Sequence, residues 1–100
     1  MPPKPAVDLS RPPSVPSSNL CKNYFPADAD DDSAYVQVLV TVDGSGKVTN
    51  ATVLVEDPKG QGFGRQARTC LLSSKLNPAL DVEGKPVTKS TPIGVRFTRY

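Results

Sequence analysis

Between Tyr35 and Val42 every second residue is valine. Val36, Val38, Val40 and Val42 fall on one side, with Tyr35, Gln37, Leu39 and Thr41 on the other. Alternation with period two is the pattern of a strand that buries one face. The segment runs straight into Asp43-Gly44-Ser45-Gly46, a turn whose glycines can take the positive φ values a tight hairpin needs. Lys47 to Glu56 then returns with Val48, Ala51, Val53 and Val55. The parity slips between Val48 and Ala51, which predicts a bulge near Thr49-Asn50. The second face of the outgoing strand is half apolar, which predicts a central place in its sheet. Asp57-Pro58-Lys59-Gly60 ends the return strand.

Beyond the hairpin the period changes. Phe63, Ala67, Cys70 and Leu71 stand at i, i+4, i+7 and i+8, the apolar stripe of an amphipathic helix expected from Phe63 to Lys75. Arg65, Arg68, Thr69 and Lys75 fall off the stripe. Ser73-Ser74 weakens the helix near its end, and Pro78 forbids continuation. Asp81-Val82-Glu83-Gly84-Lys85-Pro86 reads as a turn. In the closing strand, Pro92 to Arg99, Ile93, Val95 and Phe97 alternate with Gly94, Arg96 and Thr98. The order ββαβ predicts an α+β fold, a two-layer sandwich with one helix packed on a three-stranded antiparallel sheet. If the last strand pairs with the first, the sheet order is 2-1-3, and the last strand is left on an edge.

Six of the eleven prolines lie in the first sixteen residues. Residues 1–18 therefore read as a flexible, extended linker of polyproline II character, and residues 19–100 as the folded domain. One hundred residues support one small domain, of a size that often needs a staple. The net charge of +2 is too small to indicate nucleic acid or membrane binding. It is also uneven: residues 1–34 carry three basic and five acidic groups, and residues 35–100 nine and five. No apolar run is long enough to span a bilayer. Met1-Pro2-Pro3-Lys4-Pro5 lacks the apolar stretch of a signal peptide. A role outside the cytoplasm thus requires that the domain belong to a longer, anchored protein.

Chemistry is narrowed by what is missing. There is no histidine, which removes Ser-His-Asp and Cys-His catalysis and most zinc sites. Two cysteines 49 positions apart form neither a CxxC pair nor a four-cysteine zinc site. The run Asp28-Ala29-Asp30-Asp31-Asp32 lacks the central Gly and distal Glu of a calcium loop, and reads as a solvated acidic loop. Gly60-x-Gly62-x-Gly64 before the helix lacks the spacing and the Gly-Lys-Ser/Thr ending of phosphate-binding loops. No pair of aromatics forms a stacking surface for nucleotides. The chain is accordingly read as a binding module and not an enzyme, with no cofactor, metal or nucleic acid. Cys21, in the apolar-aromatic knot Leu20-Cys21-Tyr24-Phe25, and Cys70, on the helix stripe, are either two buried thiols or a disulfide. Their placement on segments that must meet favours the bond, which needs an oxidising compartment.

Phe25-Pro26-Ala27-Asp28-Ala29, Val38-Leu39-Val40-Thr41-Val42-Asp43-x-x-Gly46-Lys47-Val48, Phe63-Gly64-x-x-Ala67, Leu76-Asn77-Pro78-Ala79 and Val95-Arg96-Phe97 occur in that order. Together, across residues 23–99, they resemble the TonB C-terminal domain family. The proline-rich segment before them resembles the family's periplasmic linker. Leu76 stands where many members carry Trp or Phe. The resemblance implies a periplasmic module that takes an extended segment of an outer-membrane or periplasmic protein as an added strand. It also implies force transmitted from an inner-membrane, ExbB/ExbD-like motor through a parent segment. Strand addition satisfies the unpaired main-chain groups of an edge. The candidate edge is Ile93, Gly94, Val95, Arg96, Phe97, Thr98 and Arg99. Arg96 and Arg99 either pair with acidic partner residues or simply guard the edge against aggregation. The alternative is a docking module of an envelope-spanning machine such as a motility complex, or an edge-mediated dimer without energy transduction.

Overall fold

The computed structural model describes residues 7–17 and 20–99. The alternating valines do what their period requires. Val36, Val38, Val40 and Val42 lie on the inner face of β1 (Ser33–Val42) and have no exposed surface. Tyr35, Gln37 and Thr41 on the other face are half-buried, and Leu39 is exposed. β2 (Val48–Asp57) returns antiparallel to β1. Its register slips twice. Thr49 is the extra residue between the Val42–Val48 and Thr41–Asn50 pairs, where a bulge was expected, and Leu54 is a second between Val38–Val53 and Gln37–Val55.

α1 (Phe63–Leu72) buries Phe63, Ala67, Cys70 and Leu71 and lies over β1 and β2. Its first turn is anchored from outside: the Gly64 N–H donates to Glu56 Oε2 at 3.1 Å, placing a carboxylate at the positive end of the helix. α1 ends three residues before the expected Lys75. The Ser74 hydroxyl donates back to the Cys70 carbonyl at 2.6 Å, a local alternative to helical pairing. Lys75 then pairs with Lys47, and the Leu76 N–H donates to the Gly46 carbonyl at 2.8 Å.

The chain next makes a small two-stranded ribbon, β3 (Ala79–Leu80) and β4 (Pro86–Val87), before β5 (Lys89–Thr98). The ribbon's turn and the main hairpin's turn share one plan. Asp43-x-x-Gly46-Lys47 and Asp81-x-x-Gly84-Lys85 each have an aspartate whose Oδ1 accepts the lysine N–H, and a glycine at φ +90 or +82. β5 pairs antiparallel with β1 along its whole length, giving the sheet order β2-β1-β5. The fold is thus the expected α+β sandwich with its first strand central. β5 starts earlier than the expected Pro92, because the ladder reaches back to Val42–Lys89 and Thr41 Oγ1 meets Ser90 Oγ at 2.7 Å.

Cys21 and Cys70 form a disulfide, with Cα atoms 5.6 Å apart. It ties the knot before β1 to the inner face of α1. Beside it Phe25, Phe63 and Phe97 close one end of the core, with ring centroids 5.2 Å (Phe25–Phe63) and 5.4 Å (Phe63–Phe97) apart. The expected linker needs one correction. Residues 1–6 and 18 of it lie outside the described residues, but Leu9 to Ser14 is docked as a strap along residues 77–82. The N–H groups of Leu9, Arg11 and Ser14 donate to the carbonyls of Val82, Leu80 and Asn77, and those of Leu80 and Asn77 donate back to Arg11 and Ser14. Extended, proline-rich backbone is already straight enough to pair, and Pro12 and Pro13 sit between the bonding positions.

Candidate functional site

The direction of each main-chain group on β5 follows from one hydrogen bond. The Arg99 N–H donates to the Asp32 carbonyl at 2.8 Å, so Arg99 faces the central strand. Antiparallel pairing alternates, so Phe97, Val95 and Ile93 also face β1, opposite Ala34, Val36 and Val38. Thr98, Arg96, Gly94 and Pro92 therefore point their main-chain groups away from the sheet. Pro92 agrees with this parity: a proline fits a strand where its missing N–H would have faced outward. The free edge thus offers donors at Gly94, Arg96 and Thr98, and no described residue makes a main-chain hydrogen bond to them.

An apolar groove of about 370 Å³ runs beside this edge. Val95, Phe97 and Leu71 line it from the sheet and helix, and Val15, Leu20 and Phe25 from the segment before β1. A strand added to β5 would send alternate side chains into this groove. The others would lie toward the outer sheet face, where Tyr35 and Arg96 form the groove's polar border. Of the seven expected edge residues, Ile93 to Arg99, six line the edge in two roles. Ile93, Val95 and Phe97 pack on the core side, while Gly94, Arg96 and Thr98 carry the outward main-chain groups.

The two arginines are not the free charges the sequence offered. The Arg99 guanidinium sits 4.8 Å from the centroid of the Phe25 ring, donates to the Ala29 carbonyl and lies 3.5 Å from Asp32 Oδ1. Arg99 is spent on fastening the acidic loop to the end of the sheet. Arg96 lies over the Tyr35 ring, 5.2 Å from its centroid, on the outer face. Gly94 leaves room for Tyr35, whose hydroxyl would be 2.9 Å from a Cβ there.

On the opposite edge one outward carbonyl is engaged. By the same alternation Ala51, opposite Val40, turns its carbonyl outward from β2, and Arg68 Nε of α1 donates to it at 2.9 Å. The acidic loop is ordered by Gln61, whose Oε1 accepts the N–H groups of Asp30 and Asp31 at 2.9 and 3.0 Å. Among the described residues no group of His, Cys, Asp and Glu could hold a metal, and no helix is long and apolar enough to cross a membrane. The shifted carboxyls lie away from the edge. Asp43 is held below the usual range chiefly by the Ser45 hydroxyl, and Asp8 by the Ser10 hydroxyl.

Sequence reasoning did not find Val15, Leu20 and Leu71 as neighbours of the edge. The available signal was the apolar knot Leu20-Cys21-Tyr24-Phe25, which had to cover something. No protein-family model and no curated protein matches the chain.

Proposed function

We propose that this domain is a protein–protein interaction module that takes an extended segment of its partner as an added strand on β5. One observation carries the reading: a row of outward main-chain groups at Gly94, Arg96 and Thr98, to which no described residue makes a main-chain hydrogen bond, lies beside an apolar groove. Main-chain pairing supplies adhesion and the groove supplies selectivity for alternate side chains. No catalytic role, cofactor or metal is part of the proposal. The disulfide supports residence in an oxidising compartment, which fits a periplasmic domain. With the resemblance to the TonB C-terminal domain family, the proposal extends to a domain of an inner-membrane-anchored protein. There it would link a proton-motive-force-driven motor to an outer-membrane or envelope partner.

The test is chemical-shift mapping on isotope-labelled protein titrated with extended peptides from candidate envelope proteins. Shifts should centre on Ile93 to Arg99 and on the groove residues Val15 and Leu20. Shifts centred on Arg65 to Thr69 would rule strand addition out. A mass that rises with concentration in the absence of peptide would favour an edge-mediated dimer instead.

A further inference from the structure

The groove beside β5 has two walls held in different ways. Leu20 to Phe25 is fixed to α1 by the Cys21–Cys70 bond. Val15 and Ser17, which also line the groove, come directly after the strap. The strap is held mainly by its five main-chain hydrogen bonds and the contact of Asn77 Nδ2 with Ser14 Oγ at 3.2 Å. Its side chains contribute little: Leu9 is 46% exposed, Arg11, Pro12 and Ser14 are exposed, and only Pro13 is buried. Main-chain bonds at the surface are worth little net of the entropy of ordering the chain. Such segments open locally well before the core does. Val15, by contrast, packs against the core cluster when the strap is in place.

We infer that the strap gates the strand-accepting groove. Docked, it holds Val15 beside β5 and completes an apolar wall for an added strand. Peeled, it removes that wall and weakens binding. The inference rests on the strand-addition reading and adds its regulation. The occupant is an extended segment with apolar side chains at alternate positions, because Val15, Leu20, Leu71, Val95 and Phe97 make the groove mainly apolar, with Lys22 and Arg96 at its border. Coupling is reciprocal: whatever factor the docked strap adds to affinity, the bound strand adds to strap docking. Peeling that begins at Leu9 frees the strap first and the groove wall next, and the Cys21–Cys70 bond keeps it from going further. The device is therefore placed to convert pulling into release.

The test uses the whole 100-residue chain and a fluorescein-labelled synthetic peptide of alternating valine and threonine, flanked by lysines. In the unmodified protein the peptide should slow amide hydrogen exchange at Gly94, Arg96 and Thr98, and also at Leu9, Arg11 and Ser14. The double substitution Arg11→Pro/Ser14→Pro deletes two strap donors without touching a core residue. It should weaken peptide binding by about tenfold with the circular dichroism spectrum unchanged. Unchanged affinity in that variant overturns the gate and leaves strand addition standing. Tighter binding also overturns it, because the strap would then be an obstruction. Unslowed exchange at Leu9, Arg11 and Ser14 in the unmodified protein, with β5 protected, overturns it without any substitution. If Gly94, Arg96 and Thr98 themselves gain no protection, strand addition falls and the gate falls with it.

Discussion

Asp43 Oδ1 accepts hydrogen bonds from the Ser45 hydroxyl at 2.6 Å, the Ser45 N–H at 2.9 Å and the Lys47 N–H at 3.0 Å. These contacts favour the carboxylate and hold its pKa below the usual range, the Ser45 hydroxyl contributing most. A group whose folded pKa is depressed contributes stability above its unfolded value, and loses it as pH falls through the folded one. The difference in unfolding free energy between the parent and Asp43→Asn should therefore be constant at neutral pH and shrink below about pH 4. Urea titrations over that range check it. Gly46 and Gly84 occupy equivalent turn positions, but a Cβ at Gly46 would lie 2.4 Å from the Leu76 carbonyl oxygen. At Gly84 it would meet only the Leu9 side chain, nearest at Cδ1, 3.1 Å away. Both alanine substitutions pay the left-handed penalty of about 1–2 kcal/mol. Gly46→Ala should cost at least about 1 kcal/mol more than Gly84→Ala, since a backbone carbonyl has to move. Equal losses in denaturant melts would show that the turn relaxes freely.

β5 and β2 are both edge strands, and their difference in function comes from what stands beside each. On β5, Arg96 faces its N–H outward, so Arg96→Pro removes no ladder bond, as Pro92 removes none four pairs along. Stability should fall by no more than about 1 kcal/mol, the cost of fitting the fixed proline φ into a strand. Binding of an added strand should weaken by at least about tenfold, since a donor is lost and a ring is placed in the interface. On β2, Arg68→Ala frees the Ala51 carbonyl. It should cost about 1 kcal/mol of stability and leave binding at β5 unchanged. Fluorescence anisotropy and chemical denaturation on the two variants separate these outcomes. Equal binding losses in both would mean that the helix side carries the interface.

Among the described residues the core lies between one three-stranded sheet and α1, and it is small. The sheet has β2 and β5 on its edges, and α1 lies over β1 and β2. The side nearer β5 is completed by Phe25 and by the knot that the disulfide ties to α1. Closing a loop across a sequence separation of 49 stabilises by about 4 kcal/mol in the chain-entropy model. That is a large part of the 5–15 kcal/mol that holds a typical domain together. Reduction should lower the thermal midpoint by about 20 °C. It should also loosen the fixed wall of the groove, so peptide affinity should fall with reductant under conditions where the fold persists. Calorimetry with and without reductant measures the first effect. A midpoint shift of only a few degrees would mean that the knot stays docked by packing alone.

The elements that side-chain periodicity can write were legible in the chain. Alternating valines specified β1 and its inner face, and the parity slip at Thr49 marked a bulge. The Phe63-Ala67-Cys70-Leu71 stripe specified α1, and two cysteines on meeting apolar segments pointed to their bond. What stayed hidden was held by main-chain groups or by contacts distant in sequence. Lys89 to Thr91 looked polar, yet it continues β5, because main-chain pairing with β1 does not require apolar side chains there. The strap, Leu9 to Ser14, reads as linker because main-chain hydrogen bonds leave no trace in side-chain pattern. Glu56 at the start of α1, Arg68 on β2 and Arg99 on Phe25 are long polar side chains whose partners are chosen only once the layers are stacked. The groove likewise exists only after Val15, Leu71 and Val95 are brought together. A strand or a helix is a local property of the sequence, whereas the difference between its two sheet edges is a property of the packed molecule.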